Sequence, residues 1–266
     1  MSYTAPVVTM TNATQLLAVL RSSMRKLAGE EEVVAVAYSG GLDSSIVVAL
    51  AKELTGTKGY TCAIPGSFDD KHVAEAAQQD GVVTKTIHLN DAELTEYVRR
   101  TATVLGTLNP GSIAYTIPIL CALDKCEEDL LLVGSGADEL FGGYAKYQAS
   151  TDPEAAMSSD LVKSLAEAQL LQTEAARLGK RIGYPFTEES VIMAALSVPV
   201  QEKVDISGRK MILREVGRAL SLHSADRPKK AAQYSSGVLK EMERLASAAR
   251  MEFHDWTTMV ASRKGK

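Results

Sequence analysis

Two short apolar runs, at residues 33–38 and 130–133, constrain the fold of this chain more than any other feature. The first reads VVAVAY and the second LLLV, and neither alternates polar with apolar side chains. Continuous apolar runs of this length, the first of them rich in β-branched valine, are typical of parallel strands that are buried on both faces. Each run ends in a glycine-rich segment, at residues 39–41 and 134–136. We therefore expect a parallel α/β sheet with glycine-rich turns at the carboxyl ends of buried strands.

Further strand and helix signals surround the first run. Short strands are predicted at residues 59–64 and 82–89, with a helix over residues 71–79 between them. Asn90 and Glu93 have the spacing of a capping box, which predicts that another helix starts after the second of these strands. Strands and helices that alternate in this rhythm predict a parallel sheet flanked by helices.

The second half of the chain has a different pattern. Residues 145–160 are predicted to form a surface loop. Helical patterns follow at residues 161–178, 187–197, 207–221 and 236–251, with no convincing strand. Asp160 is the predicted cap of the first of these helices, and Gly179 is its predicted end. This half is expected to form a helical layer.

Charge and cysteine content narrow the class of protein. The 29 basic and 33 acidic residues leave a formal charge of −4, which argues against a large nucleic-acid surface. Cys62, Cys121 and Cys126 form no CxxC pair, and their odd number fits a reducing compartment better than a disulfide framework. No targeting segment is recognisable, and no apolar run reaches the roughly 18 residues that a membrane span needs. We expect a cytoplasmic protein with no nucleic-acid or membrane partner.

The first glycine-rich turn has the composition of a phosphate site. Residues 39–45 read SGGLDSS, directly after a predicted buried strand. Two glycines let the backbone approach a ligand, and serine hydroxyls and a helix start supply donors to an anion. Asp43 would repel a phosphate unless a cation joins them, and Mg²⁺ is the natural ion for that role. The alternative is a plain strand–helix turn in which Asp43 is the N-cap.

The second glycine-rich segment is acidic as well. Residues 133–144 read VGSGADELFGGY, again after a predicted buried strand. Asp138 and Glu139 would open a helix beside the first turn, where a second carboxylate could complete a magnesium–pyrophosphate site. The alternative is an acidic helix start that ends at a glycine, with Phe141 and Tyr144 as packing residues.

Both segments resemble known signatures. The SGGLDSS turn resembles the pyrophosphate loop of ATP pyrophosphatases, and residues 133–144 resemble the signature of the synthetase domain of the asparagine synthetase family. The resemblance implies an adenine-nucleotide α-hydrolase-like fold, a parallel sheet flanked by helices with a helical C-terminal layer. It also implies one domain over residues 1–266. Within it, residues 1–150 would form the ATP-pyrophosphatase core, and the helical part over residues 151–266 would complete the active site.

The same resemblance assigns roles to individual residues. Asp43 and Asp138 would hold magnesium, and the expected catalytic set is Lys229, Asp138, Glu139 and Ser135. Lys229 belongs to the segment RPKKAAQY, which resembles the family's Arg-x-Lys segment. Lys230 is the alternative register, and a solvated basic turn is the non-catalytic alternative. The expected ATP and pyrophosphate contacts are Ala37, Tyr38, Ser39, Gly40, Gly41, Leu42, Asp43, Ser44, Ser45, Ile64, Val133 and Gly134.

Two departures from the family concern the nitrogen source. Full-length members carry an N-terminal glutaminase domain with a cysteine after the initiator methionine, whereas this chain has Ser2 and only 38 residues before Ser39. We therefore expect nitrogen from free ammonia, from a separate glutaminase subunit, or from an amine on the substrate. Asparagine-forming members usually have glutamate where this chain has Ser135, which is a poor general base at neutral pH.

The resemblance implies an ATP- and Mg²⁺-dependent ligase that forms an amide. Such an enzyme activates a small carboxylate, aspartate or a similar acid, as an acyl-adenylate with release of pyrophosphate. It then transfers the acyl group to ammonia or an amine, and a homodimer is compatible with the sequence. Two alternatives stay open. One is a tRNA-modifying ATP pyrophosphatase, against which the acidic charge and the cysteine spacing count, and the other is a non-catalytic nucleotide-binding module.

Overall fold

A five-stranded parallel sheet forms the centre of the protein. The computed structural model describes residues 12–226 and 235–263. Within these residues the strands are β1 (Val33–Ala37), β2 (Gly56–Ala63), β3 (Val83–His88), β4 (Leu130–Leu132) and β5 (Arg181–Gly183). All neighbouring strands pair in parallel, in the order β3-β2-β1-β4-β5. The order changes direction between β1 and β4, so a crevice opens outside the carboxyl ends of these two strands.

Helices cover both faces of the sheet. In the first half they are α1 (Ala13–Ala28), α2 (Leu42–Lys52), α3 (Phe68–Asp80), α4 (Asp91–Leu105), α5 (Pro110–Lys125), α6 (Ala137–Phe141) and α7 (Ala145–Gln148). In the second half they are α8 (Pro153–Arg177), α9 (Glu189–Leu196), α10 (Val200–Lys203), α11 (Met211–Ala219), α12 (Val238–Ala248) and α13 (Phe253–Ser262). Single 3₁₀ turns lie at Pro185–Thr187 and His223–Asp226. A parallel sheet flanked by helices, with a helical C-terminal layer, confirms the predicted fold class.

The central strands are buried on both faces, as their apolar runs predict. Val34 and Val36 belong to an apolar cluster with α1, α2, α9 and α11. Ala35, between them, belongs to a second cluster with α4, α5, α12 and α13 on the opposite face. Leu131 likewise contacts the second cluster, whereas its neighbours in β4 contact the first. Continuous apolar sequence is needed here because successive side chains point to opposite faces.

Local signals place some helix boundaries correctly. The Asn90 side chain accepts a hydrogen bond from the Glu93 backbone, and the Glu93 carboxylate accepts one from the Asn90 backbone, both at 3.0 Å. This capping box begins α4 as predicted. Helix α3 begins at Ser67, whose hydroxyl accepts a bond from the Asp70 backbone, and ends at Gly81 with φ 60°.

Three predictions for the second half are wrong. Residues 145–160 are not a loop, because α7 and the first two turns of α8 lie there. Helix α8 starts at Pro153, and its cap is Asp152, which accepts a bond from the Ala155 backbone at 3.0 Å, rather than Asp160. The second half also contributes a strand, because β5 pairs with β4 at the edge of the sheet.

Helices α4 and α5 pack against each other on one face of the sheet. Ile113, Ile117 and Leu120 of α5 are fully buried there. Among the described residues, no single helix is both long and apolar enough to cross a membrane. Helices α4 and α5 reach that length and composition only as a pair, with a bend of 104° between them.

Candidate functional site

The two glycine-rich segments meet in the crevice between β1 and β4. Val36 pairs with Leu132 across the two strands, so the strands end side by side. A Cβ atom added to Gly134 would lie 3.1 Å from the Asp43 Cβ, which shows how closely the loops approach. A cavity of about 430 Å³ opens over this junction. Its position matches the ligand site of open parallel sheets.

The first loop and the start of α2 line the cavity. Gly40 has φ 69°, a conformation that favours glycine, and Gly41 is the N-cap of α2. Asp43 lies inside the first turn of α2, so the alternative in which it caps the helix is wrong. The Ser44 hydroxyl donates to the Gly41 carbonyl at 3.1 Å and lies 3.3 Å from the Ser39 hydroxyl. This arrangement places hydroxyls and the positive end of a helix dipole at one wall of the cavity.

The second loop supplies a short acidic helix. Gly136, with φ 91°, precedes α6, and Gly142, with φ 72°, ends it. Asp138 and Glu139 occupy its first turn and are both buried. Phe141 is fully buried and packs edge-to-face on Phe186. The alternative, an acidic helix start with packing residues, is correct for the backbone and for Phe141. It does not account for Asp138, which has a further contact with a lysine.

Asp43 and Asp138 converge on one lysine. The Lys210 ammonium contacts the Asp43 carboxylate and lies 2.8 Å from Asp138 Oδ1. Lys210 is 2% exposed and precedes α11 with φ 56°, an uncommon conformation for a residue with a side chain. Burial lowers the pKa of Lys210, and the Asp43 carboxylate opposes that shift. Three charged groups from three parts of the chain thus meet at the base of the cavity.

A glycine makes room for this contact. A Cβ atom at Gly143 would lie 1.6 Å from Asp138 Oδ1 and 2.5 Å from the Lys210 Cε. No side chain larger than hydrogen fits there without moving one of the two charged groups. The second glycine of the GG pair is therefore required by the approach of Lys210 to Asp138.

Two tyrosines and a serine form another wall, with a buried carboxylate behind them. The Tyr115 hydroxyl lies 3.2 Å from the Ser135 hydroxyl, and both residues line the cavity. The Tyr144 hydroxyl donates to Glu139 Oε1 at 2.8 Å. Burial raises the pKa of Glu139, and its Oε2 is buried without a hydrogen-bond partner in the described part of the chain. This wall combines aromatic surface with a few polar groups.

A third wall joins the turn after β2 to the start of α12. The Ser235 hydroxyl donates to Asp69 Oδ2 at 3.0 Å, and both side chains are buried. The backbone N–H of Ile64 donates to the Ser236 carbonyl at 2.9 Å. Asp69, Ser235 and Ser236 all line the cavity. The C-terminal part of the chain therefore contributes directly to its rim.

Most of the predicted contact residues surround this one cavity. The lining includes Ala37, Tyr38, Ser39, Gly40, Gly41, Leu42, Asp43, Ser44, Val133, Gly134, Ser135 and Asp138. Ser45, Glu139 and Ile64 lie behind the lining, and the Ser45 side chain is fully buried. Lys229, with its alternative Lys230, falls outside the described residues.

Sequence reasoning missed Lys210 as a member of the site. Lys210 and Asp43 are 167 residues apart in the sequence, so no local residue spacing predicts their contact. A single lysine directly before the apolar stripe of α11 was the only available signal. Tyr115, in the middle of the buried helix α5, carried no signal at all.

The residues present fit a divalent cation bound together with phosphate. Among the described residues, no group of three or more His, Cys, Asp and Glu side chains could bind a metal ion by itself. Two carboxylates nevertheless converge on a point where a cationic group already lies. Mg²⁺ commonly takes one or two carboxylates and completes its shell with phosphate oxygens and water. The donor set suits Mg²⁺ only if a phosphate ligand contributes.

Comparison with known proteins places these motifs in one family. The family model described as asparagine synthase matches residues 15–183. Putative asparagine synthetase [glutamine-hydrolyzing] 1 of Methanocaldococcus jannaschii is 28% identical over 270 residues, which cover 85% of this chain and 50% of that protein. Asparagine synthetase B [glutamine-hydrolyzing] of Escherichia coli is 27% identical, over 86% of this chain and 45% of that protein. The chain spans about half the length of these relatives.

Solved structures include a more distant likeness. The NMN synthetase of Francisella tularensis has a TM-score of 0.43 and 13% identity, over 96% of this chain and 86% of that one.

Proposed function

Because the chain belongs to the asparagine synthase family, we propose that it is an ATP-dependent ligase that activates a small carboxylate and joins it to ammonia or an amine. The carboxylate would become an acyl-adenylate, with release of pyrophosphate. The observation that carries this proposal is the convergence of Asp43 and Asp138 on the Lys210 ammonium at the base of the cavity. These charges suit a polyphosphate bound with a divalent cation.

The first loop would bind the β- and γ-phosphates. Its two glycines would let a phosphate approach the backbone, and Ser39 and Ser44 add hydroxyls near the start of α2. Asp43 and Asp138 would hold Mg²⁺. When bound, Mg²⁺ would neutralise phosphate charge and favour departure of pyrophosphate. Lys210, which contacts both carboxylates, would add a further positive charge beside the phosphates.

The acid to be activated would lie against Ser135 and Tyr115. Both hydroxyls can donate or accept hydrogen bonds, so they can orient a carboxylate or an incoming amine without removing a proton at neutral pH. Lys229 would stabilise charge in the transition state. We propose a separate glutaminase subunit as the source of ammonia, because the relatives named above are glutamine-hydrolysing.

ATP–pyrophosphate exchange tests the proposal most directly. The purified protein is assayed with Mg²⁺ and a panel of carboxylic acids, aspartate first, with and without ammonia. We expect exchange that depends on one acid, and its loss in Asp43→Ala. Asp91→Ala is the matched control, because Asp91 also occupies the first turn of a helix but pairs with Arg244 away from the cavity.

Three results would count against the proposal or a part of it. Unchanged exchange in Asp43→Ala would rule out the magnesium role of that carboxylate. Binding of ATP without formation of AMP for any acid would favour a non-catalytic nucleotide-binding module. A salt-sensitive shift of tRNA on a gel would favour the tRNA-modifying alternative.

A further inference from the structure

Lys210 lies where a metal ion would have to bind. Its ammonium contacts Asp43 and is 2.8 Å from Asp138, the two carboxylates proposed above as magnesium ligands. Only 3% of the Lys210 side chain is exposed, against 22% for Asp43 and 12% for Asp138. The lysine therefore fills the space between the carboxylates and is better shielded from water than either of them.

Two further features keep the lysine in this position. Its backbone has φ 56°, which costs energy for a residue other than glycine and is seen where the surrounding structure requires it. Gly143 leaves open the space through which the Lys210 Cε passes beside Asp138. A strained backbone and a gap kept open by a glycine indicate that the contact is a built feature of the site.

This arrangement sets a condition on metal binding. A divalent cation that approaches the carboxylates alone must displace the ammonium and is repelled by it at short range. The displaced ammonium would then be buried without a counter-ion, which is costly. A nucleotide changes the balance because its phosphates offer the ammonium new partners. A lysine side chain has the flexible stem that such an exchange requires.

We propose that Lys210 serves as the resident cation of the nucleotide-free site, so that the divalent metal binds together with ATP and not before it. This inference rests on the proposed Mg²⁺–ATP site and adds an order of binding to it. Lys210 thereby couples the binding of metal and nucleotide. Its charge stabilises the carboxylates when the metal is absent and the phosphates when the metal is bound.

The test measures Mn²⁺ binding without nucleotide, from the loss of the free Mn²⁺ signal in electron paramagnetic resonance at pH 8. Wild-type protein is expected to bind Mn²⁺ weakly. Lys210→Met removes the charge but keeps the length of the side chain, and it should bind Mn²⁺ at least about tenfold more tightly. Lys203→Met is the matched control, since Lys203 is also buried but pairs with neither aspartate, and it should match wild type.

A double variant identifies the ligands of the added metal. Asp43→Asn combined with Lys210→Met should lose the gained affinity, and a gain that persists would overturn the inference. Equal or weaker Mn²⁺ binding in Lys210→Met than in wild type would also overturn it. Should Lys210→Met not fold, wild type alone decides, because tight Mn²⁺ binding without nucleotide contradicts a resident lysine.

A second arm separates this inference from the proposed function. Binding of a non-hydrolysable ATP analogue is measured by calorimetry with and without Mn²⁺. In wild type, the nucleotide analogue and Mn²⁺ should each raise the binding affinity for the other. In Lys210→Met this increase in affinity should be smaller. Absence of nucleotide binding would overturn the proposed function. The measurement of Mn²⁺ binding without nucleotide decides by itself whether Lys210 excludes the metal.

Discussion

Gly143→Ala introduces a single methyl group at the contact between Asp138 and Lys210. The new Cβ would lie 1.6 Å from Asp138 Oδ1 and 2.6 Å from its Cγ, whereas real Cβ atoms essentially never come within 3.0 Å of another heavy atom. The carboxylate oxygen therefore has to move by 1.4 Å or more. Such a shift separates a pair that is now 2.8 Å apart, in a place where Lys210 is almost fully buried.

The expected loss combines two effects. Overpacking of a tight site costs about 1–3 kcal/mol, and the weakened buried ion pair adds to it, although both charged groups remain. We expect the free energy of unfolding to fall by about 2–3 kcal/mol, measured by urea denaturation with circular dichroism. ATP affinity, measured by calorimetry with Mg²⁺, should fall by at least about tenfold, because the two proposed metal ligands, Asp43 and Asp138, no longer converge.

Gly208→Ala is the control for this experiment. Gly208 lies two residues before Lys210, and a Cβ there would make only an ordinary contact of 3.4 Å with the Met211 Cγ. Neither Gly143 nor Gly208 has a positive φ, so the comparison isolates the clash from backbone strain. Gly143→Ala with stability within about 0.5 kcal/mol of wild type and with unchanged ATP affinity would refute the reasoning.

Two further predictions concern stability away from the cavity. Hydrogen bonds from Arg177 and Arg100 lower the pKa of Glu174 to about 2, below the value of about 4.3 in an unfolded chain. A lowered pKa stabilises the fold above pH 4.3 and loses that effect as the pH falls towards 2. The difference in unfolding free energy between wild type and Glu174→Gln, on the order of 2–3 kcal/mol above pH 5, should therefore narrow between pH 5 and 3 in urea titrations. A difference that is constant with pH contradicts this account. Asn90→Ala removes half of the capping box with Glu93 and should cost about 1 kcal/mol by the same measurement, whereas Asn90→Ser should cost less.

The elements that could be predicted from sequence are those with dense local signals. β1 and β4 were recognisable because both faces of each strand are buried, which leaves an uninterrupted apolar run. Helix α4 was recognisable from its cap. β5 was missed because a three-residue edge strand, Arg-Ile-Gly, has no run to recognise. The start of α8 was misplaced although Asp152 and Pro153 are a normal cap and first residue, because the polar residues around them resemble a loop.

In the candidate site, too, the residues with local sequence signals could be predicted and the others could not. Asp43 and Asp138 were predicted because each lies in a glycine-rich turn after a buried strand, and parallel strands bring their carboxyl ends together. Lys210 and Tyr115 were not predicted, because tertiary packing alone brings them to the cavity. Ser45 was predicted as a contact, but its position in the helix turns it into the core.

The strand order also determines when during synthesis the site can be complete. β4 is the neighbour of β1, although the whole of β2, β3 and the helices between them are made before it. Asp43 leaves the ribosome early, and its partner Lys210 follows 167 residues later. A nascent chain or a proteolytic fragment that stops between the second glycine-rich loop and Lys210 contains both loops but leaves their carboxylates without the ammonium. The three charged groups of the candidate site can therefore be present together only after most of the chain has been made.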